Sequence, residues 1–197
     1  MTGMLSALTR LLAAFASLAL FLSPMAAMAG DLRYVVDKAA SRVDAKVAFF
    51  GIASKTASFP DMSGTFNLSF ADLEALDMVV DIDARTLTTG DSQTKTLKGK
   101  SFFDVARHPT VRFVGKRLKM TGDKTADVEG LITARGITRP IQLNVTFSVP
   151  PFSTGGTQPI SIVGTGVIDR RQFGMTAYPI IIGAMVNVTI RARMVPN

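Results

Sequence analysis

The chain has 197 residues, 47% of them hydrophobic, and its 22 Lys and Arg against 15 Asp and Glu give a formal charge of +7. It contains no Cys and one His, which excludes disulfide crosslinks and a His/Cys cluster for zinc, copper or iron. The basic residues are scattered and do not alternate with aromatic residues, so nucleic acid is a poor partner. An anionic membrane surface or an anionic ligand head group suits this charge better.

The first 29 residues have the pattern of a secretory signal peptide. Arg10 precedes an apolar run over residues 11–22, and a small-x-small site ends at Ala29. A retained membrane anchor is the alternative, but an anchor needs about 20 apolar residues, and Ser23-Pro24 interrupts this run sooner. We predict cleavage after Ala29, export of the protein, and one domain over residues 30–197.

Beyond residue 40, many segments have an apolar residue at every second position. Side chains alternate between the two faces of a strand, so this pattern predicts strands with one dry face and one wet face. We predict eight strands near residues 41–50, 63–70, 75–85, 110–118, 125–135, 140–149, 159–168 and 184–194. Their short connections favour antiparallel neighbours.

The one long insertion among the predicted strands is residues 86–109. Gly90-Asp91-Ser92 predicts the start of a short helix that continues through Leu97, with Asp91 or Ser92 as its cap. The single His, His108, precedes Pro109 in a polar turn, and no nucleophile-elbow sequence is present. We interpret His108 as a structural or surface residue.

Eight strands without a helical layer predict an all-β fold that buries its dry face against itself, as a sandwich or a closed barrel. An antiparallel up-and-down barrel of this size is either filled by side chains or holds one small ligand. Small residues at interior positions favour a partly hollow apolar lumen, although glycines also mark the bulges and bends that a barrel needs. These residues are Ala45, Gly64, Ala84, Gly115, Gly130, Ala134, Gly164, Gly166, Ala184 and Ala192.

Strand parity also predicts which side chains face the interior and which face solvent. Facing the lumen we expect Phe66, Leu68, Met78, Val80, Ile82, Phe113, Ile132, Phe147, Ile168, Val188 and Ile190. Facing solvent we expect Asp77, Asp81, Asp83, Asn144, Asn187 and Arg191.

Three segments carry recognisable motifs: residues 97–104 running on to Pro109, residues 130–140, and residues 169–175. In the second segment, Gly136 and Pro140 frame a turn in which Gly is free to adopt a positive φ. In the third, Asp169 can pair with the arginines that follow it, or these groups can satisfy backbone groups where the chain leaves a strand.

The phenylalanines of these motifs have an interpretation of their own. Phe173 and Met175 are expected to turn inward, and Phe102 and Phe103 lie in the insertion, where they could cover an open barrel end. A purely structural role is the alternative for each motif residue, and we favour a ligand-contacting role for the pair Phe102 and Phe103.

In this order, the three segments resemble those of the YceI-like family of exported bacterial proteins, and the agreement extends over about residues 32–194. The resemblance implies a lipocalin-like eight-stranded antiparallel barrel in the periplasm. It also implies an elongated lumen that holds a polyisoprenoid chain, such as a quinone tail or a prenyl phosphate. Apart from this bound lipid no cofactor or metal is implied, and the protein would be a monomer or a homodimer.

Together, parity and resemblance give a set of expected ligand contacts in the lumen: Phe49, Phe66, Leu68, Met78, Val80, Ile82, Phe102, Phe103, Phe113, Ile132, Phe147, Ile168, Phe173, Met175, Val188 and Ile190. Family members often carry His at three positions that are Ala40, Phe49 and Thr96 here. A polar or metal-assisted role at these positions therefore does not carry over, and Phe49 makes its end of the lumen more apolar.

Three functions follow as hypotheses. The first is a carrier or store for a long isoprenoid lipid. The second, an enzyme acting on such a lipid, is disfavoured because the carboxylates of Asp77, Asp81 and Asp83 fall on the wet face of one strand and no acid/base pair is recognisable. The third is a stress-related interaction protein with a packed core and no ligand.

Overall fold

The computed structural model describes residues 31–69 and 72–197, most of which lie in antiparallel strands. The strands are β1 Leu32–Val36, β2 Arg42–Phe49, β3 Ala53–Phe59, β4 Met62–Ser69, β5 Asp72–Asp83, β6 Thr110–Gly122, β7 Thr125–Ala134, β8 Ile137–Phe147, β9 Ile160–Asp169 and β10 Ile182–Pro196. Between them lie α1 Gln93–Lys98 and the 3-10 turns Lys38–Ala40, Ala84–Thr86, Pro151–Thr154 and Arg170–Phe173. The predicted signal peptide, residues 1–29, lies outside the described residues.

Backbone hydrogen bonds close the strands into a ring. The order is β1-β4-β5-β6-β7-β8-β9-β10, and β10 pairs again with β1. Residues 182–191 of β10 pair with β2 and residues 194–196 pair with β1, so β1 and β2 form one barrel strand, broken at Lys38–Ala40. In the same way, β3 and β4 pair with β2 and β1 and form the next barrel strand, broken at Pro60-Asp61, where proline lacks an N–H. The predicted closed eight-stranded antiparallel up-and-down barrel is confirmed.

Two strand segments, β1 and β3, lie outside the predicted set. β1 has five residues, and β3 carries Ser, Lys and Thr among the residues that precede its buried Ala57 and Phe59. Along one edge β3 pairs with β2, and at its other edge a bridge joins Ser58 to Thr88 of the insertion. That bridge consists of two backbone hydrogen bonds of 2.8 and 2.9 Å. Because the insertion replaces a neighbouring strand here, the alternation in β3 is weak.

The up-and-down topology places the connections at two opposite ends of the barrel. The connections 50–52, 84–109, 135–136 and 170–181 lie together at what we call the upper end. The connections 123–124 and 148–159 lie at the lower end.

Polar contacts close the lower end. The Tyr34 hydroxyl lies 2.8 Å from the hydroxyl of Thr154 and donates to the carbonyl of Gln158 at 3.1 Å. Tyr34, Leu32 and Pro151 are fully buried. A buried tyrosine whose hydroxyl has partners fixes this loop across the barrel floor without leaving an unsatisfied polar atom.

The two faces of the wall have the predicted parity. Of the residues predicted to face the lumen, Met78, Ile132, Ile168 and Ile190 are partly buried against the core and the others are buried. The residues predicted to face solvent are exposed or half-buried on the outer face. Outside the barrel, Arg112 donates to Asp81 at 2.7 Å.

The interior glycines are closely surrounded. A Cβ atom added at Gly64 or Gly130 would lie 2.3 or 2.5 Å from a backbone oxygen of the neighbouring strand. At Gly115 and Gly166 it would lie 2.8 and 2.7 Å from a leucine methyl carbon. The expectation that these four residues leave empty space is therefore wrong: they allow strands and large side chains to approach closely. Gly164 differs, because its nearest neighbour would lie at an ordinary 3.5 Å and it lines a cavity.

Candidate functional site

Two cavities lie one below the other inside the barrel. The upper cavity has a volume of about 170 Å³ and is lined by β2, β3, the insertion, and residues from β5 to β10. The lower cavity has a volume of about 60 Å³, and every residue that lines it is apolar or glycine. Five residues line both cavities and therefore lie between them: Val43, Ile82, Phe113, Leu143 and Ile190.

The structure brings most of the predicted ligand contacts to these cavities. Phe49, Phe102, Phe103, Ile132, Ile168, Met175 and Val188 line the upper cavity, and Phe66, Met78, Val80 and Phe147 line the lower one. Ile82, Phe113 and Ile190 line both. Leu68 and Phe173 are each 1% exposed and lie outside the two linings, so they belong to the surrounding core. Contact with a ligand stays a prediction for all of them.

Polar side chains reach the upper cavity at positions that the sequence did not single out as cavity residues. Lys55 and Thr56 come from β3, and Thr89 and Gln93 come from the insertion. Strand parity found none of them because β3 was not predicted and the insertion has no strand period. The sequence signal for β3 is limited to two apolar residues, Ala57 and Phe59, on either side of a polar one.

Arg170 places a buried guanidinium at the upper cavity. Its Nε donates to the carbonyl of Gly183 at 2.9 Å, one Nη donates to Ile182 at 2.8 Å, and the other donates to Met175. Burial lowers the pKa of Arg170 below its usual value, although an arginine side chain stays charged at neutral pH. Arg171 pairs with the neighbouring carboxylate of Asp169 at 2.6 Å. The two predicted roles are therefore divided between the arginines: Arg171 pairs with the carboxylate, and Arg170 satisfies backbone groups.

The aromatic pair of the insertion stands over the upper cavity. The Phe103 ring packs edge-on against Phe59 at 5.3 Å between centroids, and the Phe102 ring stacks on Tyr178 at 6.2 Å. Phe102 is 2% exposed. Backbone bonds from Phe102 and Asp104 to the carbonyl of Gly99 fold the segment into a tight turn. The turn thus directs both rings toward the barrel interior.

Arg135 ties three upper-end connections together. It has φ 51°, next to Gly136 at φ 75°, as expected for the turn between β7 and β8. Its guanidinium donates to the carbonyl of Gly174 at 2.6 Å and to that of Lys100 at 3.1 Å. The insertion and the segment after β9 are therefore held against the same turn.

Asp91 anchors the start of α1. Its carboxylate accepts from the Gln93 amide at 2.9 Å, from the Thr89 hydroxyl at 2.6 Å and from Lys55 Nζ at 2.9 Å. Ser92 makes no side-chain cap bond, so Asp91 is the residue that caps the predicted helix. These hydrogen bonds, with that of Thr89 the strongest, lower the pKa of Asp91 to about 2.

The lowered pKa gives a test of this anchor. Because the folded state holds the carboxylate ionised, its stabilising contribution is complete above the usual Asp value of 3.8 and is lost as the pH falls toward about 2. We expect Asp91→Asn to remove that component, so that the free energy of unfolding falls less steeply with acid than in wild type. Amide exchange at Gln93 should also be faster at neutral pH.

Asp123→Asn, in the lower-end turn, is the matched control for losing one carboxylate. Urea unfolding of all three proteins across the acid range measures the effect. If the free energy of unfolding depended on pH in the same way for wild type and Asp91→Asn, the Asp91 carboxylate would not anchor α1.

The YceI-like domain model matches residues 34–194. The chain belongs to the YceI-like family. Its relatives include a UPF0312 protein of Pseudomonas syringae pv. tomato, 35% identical over 171 residues, which are 85% of this chain and 88% of the relative. A UPF0312 protein of Pseudomonas putida F1 is 32% identical over 167 residues, 82% of this chain and 86% of the relative.

Solved structures share the YceI-like fold. BcnA of Burkholderia cenocepacia superposes with a TM-score of 0.70 at 20% identity, covering 80% of this chain and 98% of that one. A polyisoprenoid-binding domain from Saccharophagus degradans, implicated in plant cell wall breakdown, gives 0.63 at 17% identity, covering 83% and 98%. At these identities the likeness establishes the barrel architecture.

The three YceI-like positions where family members often carry His do not form a polar group here. Ala40 and Thr96 are exposed, whereas Phe49 lines the upper cavity. Across residues 31–69 and 72–197 there is no group of three or more His, Asp or Glu side chains placed to hold a metal ion. Nor does any helix of this part of the chain have the length and hydropathy to cross a membrane.

Proposed function

We propose that this YceI-like protein binds the apolar chain of a polyisoprenoid lipid along its barrel axis and carries or stores it. The observation that carries the proposal is the pair of cavities that share five apolar lining residues, with a lower part free of polar side chains. The polar groups all lie at the upper cavity. Such a site suits a long hydrocarbon whose head group stays near the upper end.

Burial of hydrocarbon supplies the affinity in this proposal. Each Å² of apolar surface removed from water contributes about 25 cal/mol before the cost of association. An isoprenoid chain of several units exposes enough surface to bind without specific hydrogen bonds. Phe113 and Ile190 line both cavities, so a ligand that fills both must pass between such side chains, which favours a flexible linear chain over a rigid fused-ring lipid.

The charged side chains of the upper cavity are Lys55, whose amine also pairs with Asp91, and Arg170, and their positive charge suits a polar or anionic head group. This supports a quinone tail or a prenyl phosphate as the ligand class, in line with the polyisoprenoid-binding domain that has the same fold. We further propose that the protein is exported to the periplasm and that the bound lipid is its one cofactor-like ligand. It would act there as a monomer or a homodimer.

Filling the upper cavity tests the proposal. Ala45 of β2 lines that cavity, whereas Ala48 of the same strand is exposed on the outer face. We expect Ala45→Phe to hold less than half as much co-purified or reloaded prenyl lipid as wild type, because the ring occupies the ligand's space. Ala48→Phe adds the same ring outside the barrel and should bind normally.

Native mass spectrometry after mild release, with lipid extraction as a second readout, measures occupancy in all three proteins. Equal occupancy in folded Ala45→Phe and wild type would place the lipid outside the lumen. A wild-type protein that neither carries nor takes up prenyl lipid would favour the packed-core interaction protein instead.

A further inference from the structure

Large apolar side chains project from two connections at the upper end. Ile52 is 96% exposed and Ile180 is 93% exposed, and Phe50 and Tyr178 beside them are also exposed. The two connections are neighbours, since the Phe50 amide donates to the carbonyl of Ile181 at 2.7 Å. We call Phe50, Ile52, Tyr178 and Ile180 the apical patch.

The apical patch is continuous with the upper cavity. The Phe50 ring packs edge-on against Phe49 at 4.7 Å between centroids, and Tyr178 stacks on Phe102. Phe49 and Phe102 both line the cavity. Each aromatic residue of the apical patch therefore contacts a ring that lines the lumen.

Two aromatic residues of the patch occupy left-handed backbone positions. Phe50 has φ 54° and Tyr178 has φ 52°, a region that bulky residues rarely adopt and that glycine adopts at no cost. Exposed apolar side chains do not stabilise the barrel. The left-handed backbone positions and the exposure together indicate that these side chains have a role other than folding.

Charge distinguishes the two ends of the barrel. The upper-end connections 50–52, 84–109, 135–136 and 170–181 contain eight Lys or Arg and two Asp. The lower-end connections 123–124 and 148–159 contain one Lys and one Asp. Several of the upper-end basic residues are exposed, among them Arg85, Lys95, Lys100, Arg107 and Arg171. Arg85, Arg107 and Arg171 each pair with an Asp at this end, and the remaining basic residues leave the upper end with a net positive charge.

We propose that the upper end docks on an anionic lipid bilayer, with the apical patch inserted among the head groups and the lumen facing the membrane. This inference rests on the proposed function, because it supplies the route by which an insoluble chain passes between bilayer and barrel. Protruding apolar loop tips at an end with net positive charge suit a bilayer interface, which needs no matching surface shape. Docking on a bilayer does not require a protein partner with a concave surface that matches these loops.

The test removes the apolar tips without touching the cavity lining. In Ile52→Ser with Ile180→Ser, both substituted side chains are almost fully exposed, so we expect the variant to fold as wild type does. The matched control is Val163→Ser with Val167→Ser, two exposed valines on the outer face of β9. Binding is measured by co-sedimentation with vesicles of phosphatidylcholine, with and without phosphatidylglycerol, at low and high salt.

We expect wild type and the valine control to bind the anionic vesicles and to be released by salt. The isoleucine double variant should bind roughly a hundredfold more weakly, about tenfold for each side chain withdrawn from the interface. Vesicle binding that is unchanged by the double substitution would overturn the proposal. So would a patch that drives self-association, seen as a wild-type dimer that the isoleucine variant abolishes while neither protein binds vesicles.

Lipid content separates this inference from the proposed function. The isoleucine variant should retain prenyl lipid loaded from detergent, because its lumen is intact. If the isoleucine variant keeps its lipid and still binds vesicles, docking through the apical patch is overturned and the proposed function stands. A wild type that binds vesicles through the patch yet never holds lipid overturns the proposed function and leaves the docking surface standing.

Discussion

Replacing Phe102 and Phe103 together by Ala is expected to release a bound prenyl lipid at least about ten times faster than wild type. Both rings line the upper cavity, and Phe102 is almost fully buried. Their loss removes roughly 3 kcal/mol or more of apolar contact, shared between the fold and the ligand. A little under half of that amount, acting on the ligand, gives the tenfold change.

Phe152→Ala is the matched control for this variant. Phe152 lies in the lower-end turn Pro151–Thr154, partly buried against the core, and it does not line either cavity. Its loss should leave the off-rate of a fluorescent prenyl lipid unchanged. Circular dichroism establishes that each barrel is folded. An unchanged off-rate in the folded Phe102/Phe103 variant would make these residues structural and place the opening elsewhere.

Arg170→Met is expected to lower the free energy of unfolding by roughly 3 kcal/mol or more. The guanidinium is 4% exposed and satisfies three backbone carbonyls, those of Met175, Ile182 and Gly183. Met has a similar length but donates no hydrogen bond, so these carbonyls lose their partners in a buried place, at about 1–3 kcal/mol each when no water replaces the donor. The segment between β9 and β10 should loosen first.

The adjacent arginine provides the control. Arg171 has an exposed side chain that pairs with Asp169 at the surface. Arg171→Met should therefore cost far less stability than Arg170→Met. Urea unfolding of both variants, together with hydrogen exchange across residues 170–183, measures the difference. Equal destabilisation by the two substitutions would refute the buried role of Arg170.

The all-β class could be predicted because the strands are buried on one face only. In β5, β8 and β10 this produces a clear alternation, from which the strands and the lumen-facing parity follow, whereas the choice of a closed barrel over a sandwich came from the resemblance to the YceI-like family. β3 was not predicted because one of its edges faces the insertion and four of its seven residues are polar. β1 was not predicted because five residues are too few to show a clear two-residue period.

The site was predictable where it is built from strand residues and not where it depends on tertiary contacts. Ile82, Phe113 and Ile190 follow from parity alone. The position of Arg170 depends on the carbonyl of Met175, in a connection whose path no local pattern specifies, and on those of Ile182 and Gly183 at the start of β10. The prediction of empty space at the interior glycines failed for a related reason. Whether a missing side chain leaves a void depends on the residue of the neighbouring strand, such as Val79 beside Gly64.

The upper rim of the barrel is not equally stiff around its circumference. Two joints at this end have few hydrogen bonds: the outer edge of β3 meets the insertion through the two-bond bridge of Ser58 and Thr88, and β8 pairs with β9 only from Asn144 to Phe147, away from the upper rim. Opening a wall breaks the joint with the fewest bonds first. The diameter available to a passing hydrocarbon is therefore adjustable at these two joints, while longer ladders join the strands between them.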